Sequence, residues 1–448
     1  MPNHARLSAM QWVATALFVV ALLLAGGSSR SDISQLMAVR LAALLVIGVI
    51  ILPAARAELR ALVPPLLLPA AVALLCVLSL IPLPPALWSA LPGHAGYDAA
   101  ATIAGKPQPW RPLTLSPDLT IETILALLVP VATVALAMRA PLSWARHFAP
   151  ALLAVTALSG ALATLQLVSD ADSPLRLYAI NDTDAGVGFF ANRNHQAVLM
   201  CLGLPAAYFW AVAPGTPPAR RLAKRMVALA AALLAGLGVA ITQSRSGYVL
   251  AVSMILAIGL IAATSRSPSR RATRLTGIAI VALCLIGTSA MVAPIARFGD
   301  NDVGNGRGSF WQNTIDMAQA FFPTGSGPGS FVRAYPRFEK MADLRPEYVN
   351  HAHNDYLEIV AEYGLAGAFG LALGLVWIGR AITLGWGLDR VSLRPPAQLA
   401  AIALVVMLVA SLVDYPVRTP LMGSLFALAC IVLYRLGNLK NDHPQVAQ

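Results

Sequence analysis

The chain has 448 residues, 57% of them hydrophobic and only 12% charged, with a formal net charge of +11. So little charge over such a length excludes an ordinary soluble protein. Repeated apolar runs of about 20 residues place the chain in a bilayer, whose core a helix of that length crosses. A basic excess of this size could suit nucleic acid, but its distribution, given below, argues against that partner.

In chain order, the apolar runs predict an all-α integral membrane protein of about twelve transmembrane helices. They fall at roughly 10–26, 37–55, 61–82, 119–138, 147–168, 195–213, 226–242, 246–264, 274–294, 355–380, 397–413 and 419–437. The first follows a weakly basic start and resembles a signal peptide. With no small-x-small cleavage site after Gly27, it reads as a retained helix. Helices 7 and 8 nearly touch, so Gln243–Ser246 must turn very tightly.

Three segments on one face are long. Residues 83–118 are rich in proline and tryptophan, among them Trp88, Trp110 and Pro112, and suit an interfacial loop. Residues 169–194 carry Asp170, Asp172, Asp182 and Asp184 ahead of Asn192-Arg193-Asn194-His195. Residues 295–354, between helices 9 and 10, form the largest. There Trp311, Ile315, Ala318 and Phe322 fall at helical spacing and predict a short amphipathic helix on the membrane surface. Pro323 and the glycines of 325–329 stop it. No repeat or low-complexity linker divides the chain, so residues 1–448 read as a single polytopic membrane domain with an external cap.

Threading twelve helices from a cytoplasmic N-terminus gives cytoplasmic segments with 18 basic and three acidic residues, and an opposite face with 14 and 18. This is the positive-inside pattern. It predicts both termini in the cytoplasm and makes the basic excess a topology signal. Cys76, Cys201, Cys284 and Cys430 all lie in apolar runs, so neither a disulfide framework nor a metal-type spacing is present.

The candidate chemistry gathers on the external face: Arg193, His195, Arg245, Arg307, His351, His353, Asp414 and Arg418 all map there. His353 stands in Asn350-His351-Ala352-His353-Asn354-Asp355-Tyr356-Leu357, where polar sequence gives way to a membrane helix. Asn354, Asp355 and Glu358 have an ordinary reading as helix caps. The histidines do not, and an imidazole can take a proton from a hydroxyl near neutral pH. The string also resembles the H-x-H-x-D-H of binuclear zinc hydrolases. Position 356 is Tyr rather than His, however, and those hydrolases are soluble α/β proteins.

Arg245 sits in a tight turn at the membrane, where a charge needs a partner, a function or a route to lipid phosphate. Arginines hold phosphate oxygens bidentately and stay charged, so Arg193, Arg245 and Arg307 around one pocket would suit a phosphorylated, lipid-anchored substrate. Arg418 and Asp414 either pair with each other or position such an arginine. Glu358 and Glu362, one turn apart, should face the bundle rather than lipid. The glycine run has no preceding strand and no following Gly-Lys, so it reads as a turn.

Taken together, Phe189–His195, Gln243–Gly247, Arg307–Trp311, Gly325–Phe331, His351–Leu357 with Glu362-Tyr363-Gly364, and Asp414–Pro420 resemble the O-antigen ligase and polysaccharide polymerase superfamily, over about residues 185–425. The resemblance implies a bacterial inner-membrane glycosyltransferase with a periplasmic active site. It would move a glycan from undecaprenyl diphosphate to an acceptor hydroxyl without cofactor or metal. It makes His353, directly before Asn-x-x-Leu, the base, and lays Arg245, Arg307 and Arg193 on the pyrophosphate. Asn192, His351, Asn354, Asp355, Asp414 and Arg418 fall in supporting positions, with His351 at a position where many members differ. Arginines would stabilise charge growing on the departing phosphate, and attack from the opposite face would invert the anomeric carbon.

The acceptor stays open: lipid A core for a ligase, another lipid-linked glycan for a polymerase of O-antigen or exopolysaccharide, or protein hydroxyls. A transporter of polysaccharide or lipid is the reading from another class. It predicts charges at the bilayer midplane and inverted repeats with broken helices. The helix centres here are mostly clear of charge, and no repeat is visible.

Overall fold

The computed structural model describes residues 8–264, 307–341, 349–386 and 392–441, with isolated positions 279, 282, 344 and 388. The first eight larger helices are α1 (Ala9–Ala25), α2 (Gln35–Ile51), α3 (Arg56–Ser79), α4 (Pro85–Ser89), α5 (Ala95–Ile103), α6 (Pro117–Ala126), α7 (Leu128–Arg139) and α8 (Phe148–Leu167). Then follow α9 (Arg193–Val212), α10 (Pro218–Ile241), α11 (Arg245–Thr264), α12 (Arg307–Phe321), α13 (Phe331–Ala334), α14 (Asp355–Trp386), α15 (Arg394–Ala410) and α16 (Pro420–Asn441). A two-residue ribbon, β1 (Pro82–Leu83) against β2 (Arg111–Pro112), is antiparallel.

Among the described residues, eight helical spans are long and apolar enough to cross a membrane, and α1, α2 and α15 are shorter apolar helices. The protein is a mostly helical, multi-pass membrane protein. The expected ninth helix, 274–294, lies outside the described residues. Outward leucines such as Leu222, Leu233, Leu234 and Leu237 of α10 are exposed, as a lipid solvent permits. Helix α9 is instead central: it packs against α8, α10, α11 and α15 and is buried along most of its length.

The first and third long segments pack against each other. Trp88, expected at a membrane interface, is 2% exposed. Its Nε1 donates to the Pro112 carbonyl at 2.9 Å, and its ring meets His94 edge-on at 4.6 Å. His94 in turn meets Phe321 of α12 at 5.9 Å. Arg337 donates to the Gly93 carbonyl at 2.8 Å, and Arg333 grips both oxygens of Asp118 at 2.7 and 2.6 Å. In the second segment, Arg176 donates to the carbonyls of Gln166, Asp182, Thr183 and Ala185 and ties the loop to the end of α8.

Helix α12 stops before Pro323 as expected, but its buried face is turned by one residue. Phe310, Asn313, Thr314, Met317 and Phe321 are buried, whereas Trp311, Ile315 and Ala318 are half-buried and Phe322 is exposed. The reason is a competing partner: the helix packs onto α14 and the Phe331–Tyr335 pair within the protein.

Helix α14 is broken at Gly364 (φ 57°, ψ −137°), and the cap fills the break. Ser326 N–H donates to the Ala361 carbonyl at 3.0 Å, Gly327 N–H to the Glu362 carbonyl at 2.9 Å, and Leu365 N–H to the Pro323 carbonyl at 2.9 Å. The glycine run is therefore a turn seated in a helix break. A Cβ at Gly364 would stand 2.1 Å from the Pro323 oxygen, in a backbone region that other residues avoid. Gly364→Ala is expected to destabilise the protein by more than about 1–3 kcal/mol, since strain and clash add. A thermal melt in detergent checks this, and an unchanged midpoint would refute it.

Candidate functional site

Several helix ends meet at one rim. Asn354 caps α14, its side-chain oxygen accepting from the Tyr356 and Leu357 N–H groups at 3.1 Å each. Asp355 was expected to cap as well. Its N–H instead donates to the Ser411 carbonyl at 3.0 Å, which binds the start of α14 to the end of α15. Asn192 caps α9 by accepting from Asn194 N–H at 2.7 Å. Ser244, in the tight turn between α10 and α11, donates to Asn194 Oδ1 at 2.7 Å. That turn is as tight as its sequence implied, with Gln243 left-handed at φ 52°.

His353 is also left-handed, at φ 52°, which is uncommon for a residue with a side chain. Its surroundings fix it. Its carbonyl accepts from Trp311 Nε1 at 3.3 Å, its ring stacks on Phe310 at 5.7 Å, and Tyr415 meets it edge-on at 5.0 Å. Its Nδ1 lies 3.6 Å from Asp414 Oδ1, and His195 Nε2 lies 3.5 Å from that same oxygen. Asp414 is 2% exposed and His195 1%, while the His353 side chain keeps 19% of its surface open.

Burial alone would raise the Asp414 carboxyl. The two imidazoles outweigh it and hold the group well below the usual carboxylate range. Burial beside Asp414 pushes the Tyr415 phenol up, so it stays a neutral donor, to Asn350 Oδ1 at 3.2 Å.

A charge network adjoins this cluster. Arg418 Nε donates to Asp355 Oδ1 at 2.6 Å and Nη1 to Glu358 Oε1 at 3.0 Å. Glu358 Oε1 also pairs with His351 Nδ1 at 2.8 Å, and its Oε2 accepts from Ala352 N–H at 2.7 Å. Burial opposes the Arg418 charge, but Glu358, Asp355 and Glu362 raise its pKa further. The expected Asp414–Arg418 pairing is thus replaced by two separate partnerships. Arg418 reaches across to the first turn of α14, and Asp414 takes the histidines. Glu358 and Glu362 face inward as expected, at 1% and 3% exposure. Glu362 Oε1 accepts from Phe331 N–H at 2.9 Å.

The arginines read as phosphate ligands are placed unequally. Arg193 pairs with Asp182 and Asp184, at 3.4 and 3.0 Å, so it closes the second segment onto α9. Arg245 is exposed at the start of α11. Beside it a cleft runs between α9, α11 and α15, lined by Asn194, Ser246 and Asp414 at its polar part and by Val198, Leu250 and Ala410 elsewhere. Arg307 opens α12, and its side chain lies outside the described residues.

This rim holds an anionic carboxylate, an accessible imidazole, an exposed arginine and a partly apolar cleft. Residues 230–372 match the family model described as O-antigen ligase. The resemblance drawn from the turn and loop motifs therefore stands. A separate comparison with curated proteins gives no match. The matched ligase segment spans roughly a third of the chain and holds Arg245, Arg307, His351, His353 and Glu358. Asp414, Arg418 and His195 lie outside it and are brought back to it by the fold.

Tyr415 escapes a linear reading, while His195, already among the external-face candidates, gains its partner only in the fold. Tyr415 touches three imidazoles, with ring centroids 5.1 Å from His195, 4.5 Å from His351 and 5.0 Å from His353. His195, which the sequence places in the external cluster and in the Phe189–His195 motif, supplies the second imidazole near Asp414.

Proposed function

We propose that this protein transfers a glycan from undecaprenyl diphosphate to an acceptor hydroxyl at the periplasmic face of a bacterial inner membrane. The family match supports O-antigen ligase-like or polymerase-like glycan transfer. The observation that carries the mechanism is the placing of His353 Nδ1 against ionised Asp414, with the rest of the ring partly open. An anion at Nδ1 favours the tautomer with its proton there, which leaves Nε2 free to accept the hydroxyl proton.

The acceptor oxygen then attacks the anomeric carbon from the face opposite the diphosphate. The carbon–oxygen bond to phosphate breaks, and the departing diphosphate keeps the electron pair. His353 carries the proton as imidazolium, steadied by Asp414. Arg245, exposed beside the cleft, is assigned to the leaving diphosphate, and Arg307 is assigned with it by its place in the loop. Lipid A core is the acceptor proposed here, which makes the reaction a ligation.

The test is reconstitution in vesicles with a polyprenyl-diphosphate-linked glycan and three acceptors offered separately: lipid A core, a second lipid-linked glycan, and a serine-containing peptide. Product on lipid A core with inverted linkage is expected. Longer lipid-linked chains would make the protein a polymerase. Movement of the donor across the bilayer with no new glycosidic bond would make it a transporter and end the transferase reading.

A further inference from the structure

Asp414 serves two imidazoles. Oδ1 accepts from the Tyr415 N–H at 3.0 Å and lies 3.5 Å from His195 Nε2 and 3.6 Å from His353 Nδ1. His195 is 1% exposed, and neither of its ring nitrogens has a closer hydrogen-bond partner. Phe190 and Tyr415 enclose the ring edge-on, at 6.2 and 5.1 Å. A buried imidazole with both nitrogens unsatisfied is costly, and the nearby carboxylate is what answers that cost here. Aromatic walls would equally suit an apolar residue at this position, so core filling does not explain an imidazole.

We propose that His195 is a positioning residue for the transfer: it shares the Asp414 carboxylate with His353 and thereby sets how strongly that carboxylate holds the base. This rests on the assignment of His353 as base. A carboxylate oxygen that faces two rings gives each less of its charge than it would give one alone. Among the described residues, the titratable groups facing Asp414 are His195 from α9, His353 from the turn before α14 and Tyr415 from its own segment. The His351–Glu358–Arg418–Asp355 network lies beyond the Tyr415 ring.

The test compares wild type with His195→Met, which removes the donor, and His195→Gln, which retains one. Two readouts are used. One is the pH–rate profile of glycan transfer. The other is the pH dependence of His353 carbethoxylation by diethyl pyrocarbonate, followed by peptide mass spectrometry, which needs no activity. In His195→Met both should move to higher pH by about one unit, because Asp414 is then no longer divided between His195 and His353. In His195→Gln both should return close to wild type. If the Met variant fails to insert, His195→Phe takes its place.

A loss of rate that is equal at every pH, with an unmoved modification profile, would leave His195 a packing residue and overturn the proposal. So would wild-type behaviour in both variants. If the modification profile shifts while the rate profile does not, the carboxylate is shared but His353 is not the base. That outcome overturns the proposal as a statement about transfer, and it locates the fault in the base assignment.

Discussion

His353→Ala is expected to reduce glycan transfer by at least about 100-fold while the protein still inserts and folds, since a positioned base contributes on that scale or more. His353 has an anion near Nδ1 and an open edge. His195 faces the same anion but is closed off. His351, on Glu358 at 2.8 Å, has both as well, with 14% of its side chain open. Its anion Glu358 is already shared with Arg418 and the Ala352 N–H, however, and the motif resemblance falls on His353. His351→Ala should therefore lower stability by about 1.5–3 kcal/mol, the worth of a hydrogen bond to a charged group, and leave most of the turnover.

The pH dependence follows with a definite sign. His353 must be neutral to act, so the rate falls on the acid side as the ring protonates. Asp414 does not contribute a second acid limb, because the imidazoles beside it hold its carboxyl well below the ordinary 3.8. Its contribution to stability is present above that ordinary value and is lost only as pH falls through the depressed one. Transfer rates measured from purified donor across pH 5–9 check the first point, and thermal melts taken from pH 5 downward check the second. Full activity in His353→Ala would remove the base assignment, whatever the family match says.

The helices were legible because lipid imposes a simple rule: an apolar run of sufficient length has few other fates. The turn at Gln243–Ser246 was legible from the short gap between two such runs. The cap was harder. Trp88 looked like an interfacial anchor, and it is buried against Pro112 and His94, which in turn meets Phe321, contacts that no local pattern records. The face of α12 was misjudged by one residue because apolar spacing alone allowed two overlapping stripes, and packing onto α14 decides between them. At the site, His353 and Asn354 announced themselves as an imidazole beside a helix cap. The partners of Asp414 did not, because α9, the loop before α14 and the segment after α15 are joined only by tertiary contact.

The second large effect is expected at Arg418. Its guanidinium holds Asp355 at 2.6 Å and Glu358 at 3.0 Å, and Glu358 in turn holds His351 and the Ala352 N–H. Arg418→Ala leaves two buried carboxylates without their cation. Breaking such a network from one side costs about 3–5 kcal/mol, because the remaining charge stays desolvated. Arg418→Lys should recover only part of this, since one ammonium cannot reproduce two directed guanidinium bonds. Removing the cation and one of the two carboxylates, as in Glu358→Gln with Arg418→Gln, should be milder than Arg418→Ala alone, which is the mark of a penalty from unpaired charge rather than from lost volume.

Thermal unfolding in detergent reads the stability, and transfer rate per folded molecule reads the chemistry. The turn that presents His353 hangs on Glu358 through Ala352, so the rate should fall together with the melting point. An Arg418→Ala protein that melts like wild type yet has lost transfer would place Arg418 on the substrate and not beneath the turn. That result would also move the phosphate-binding role from the exposed Arg245 toward the interior of the rim.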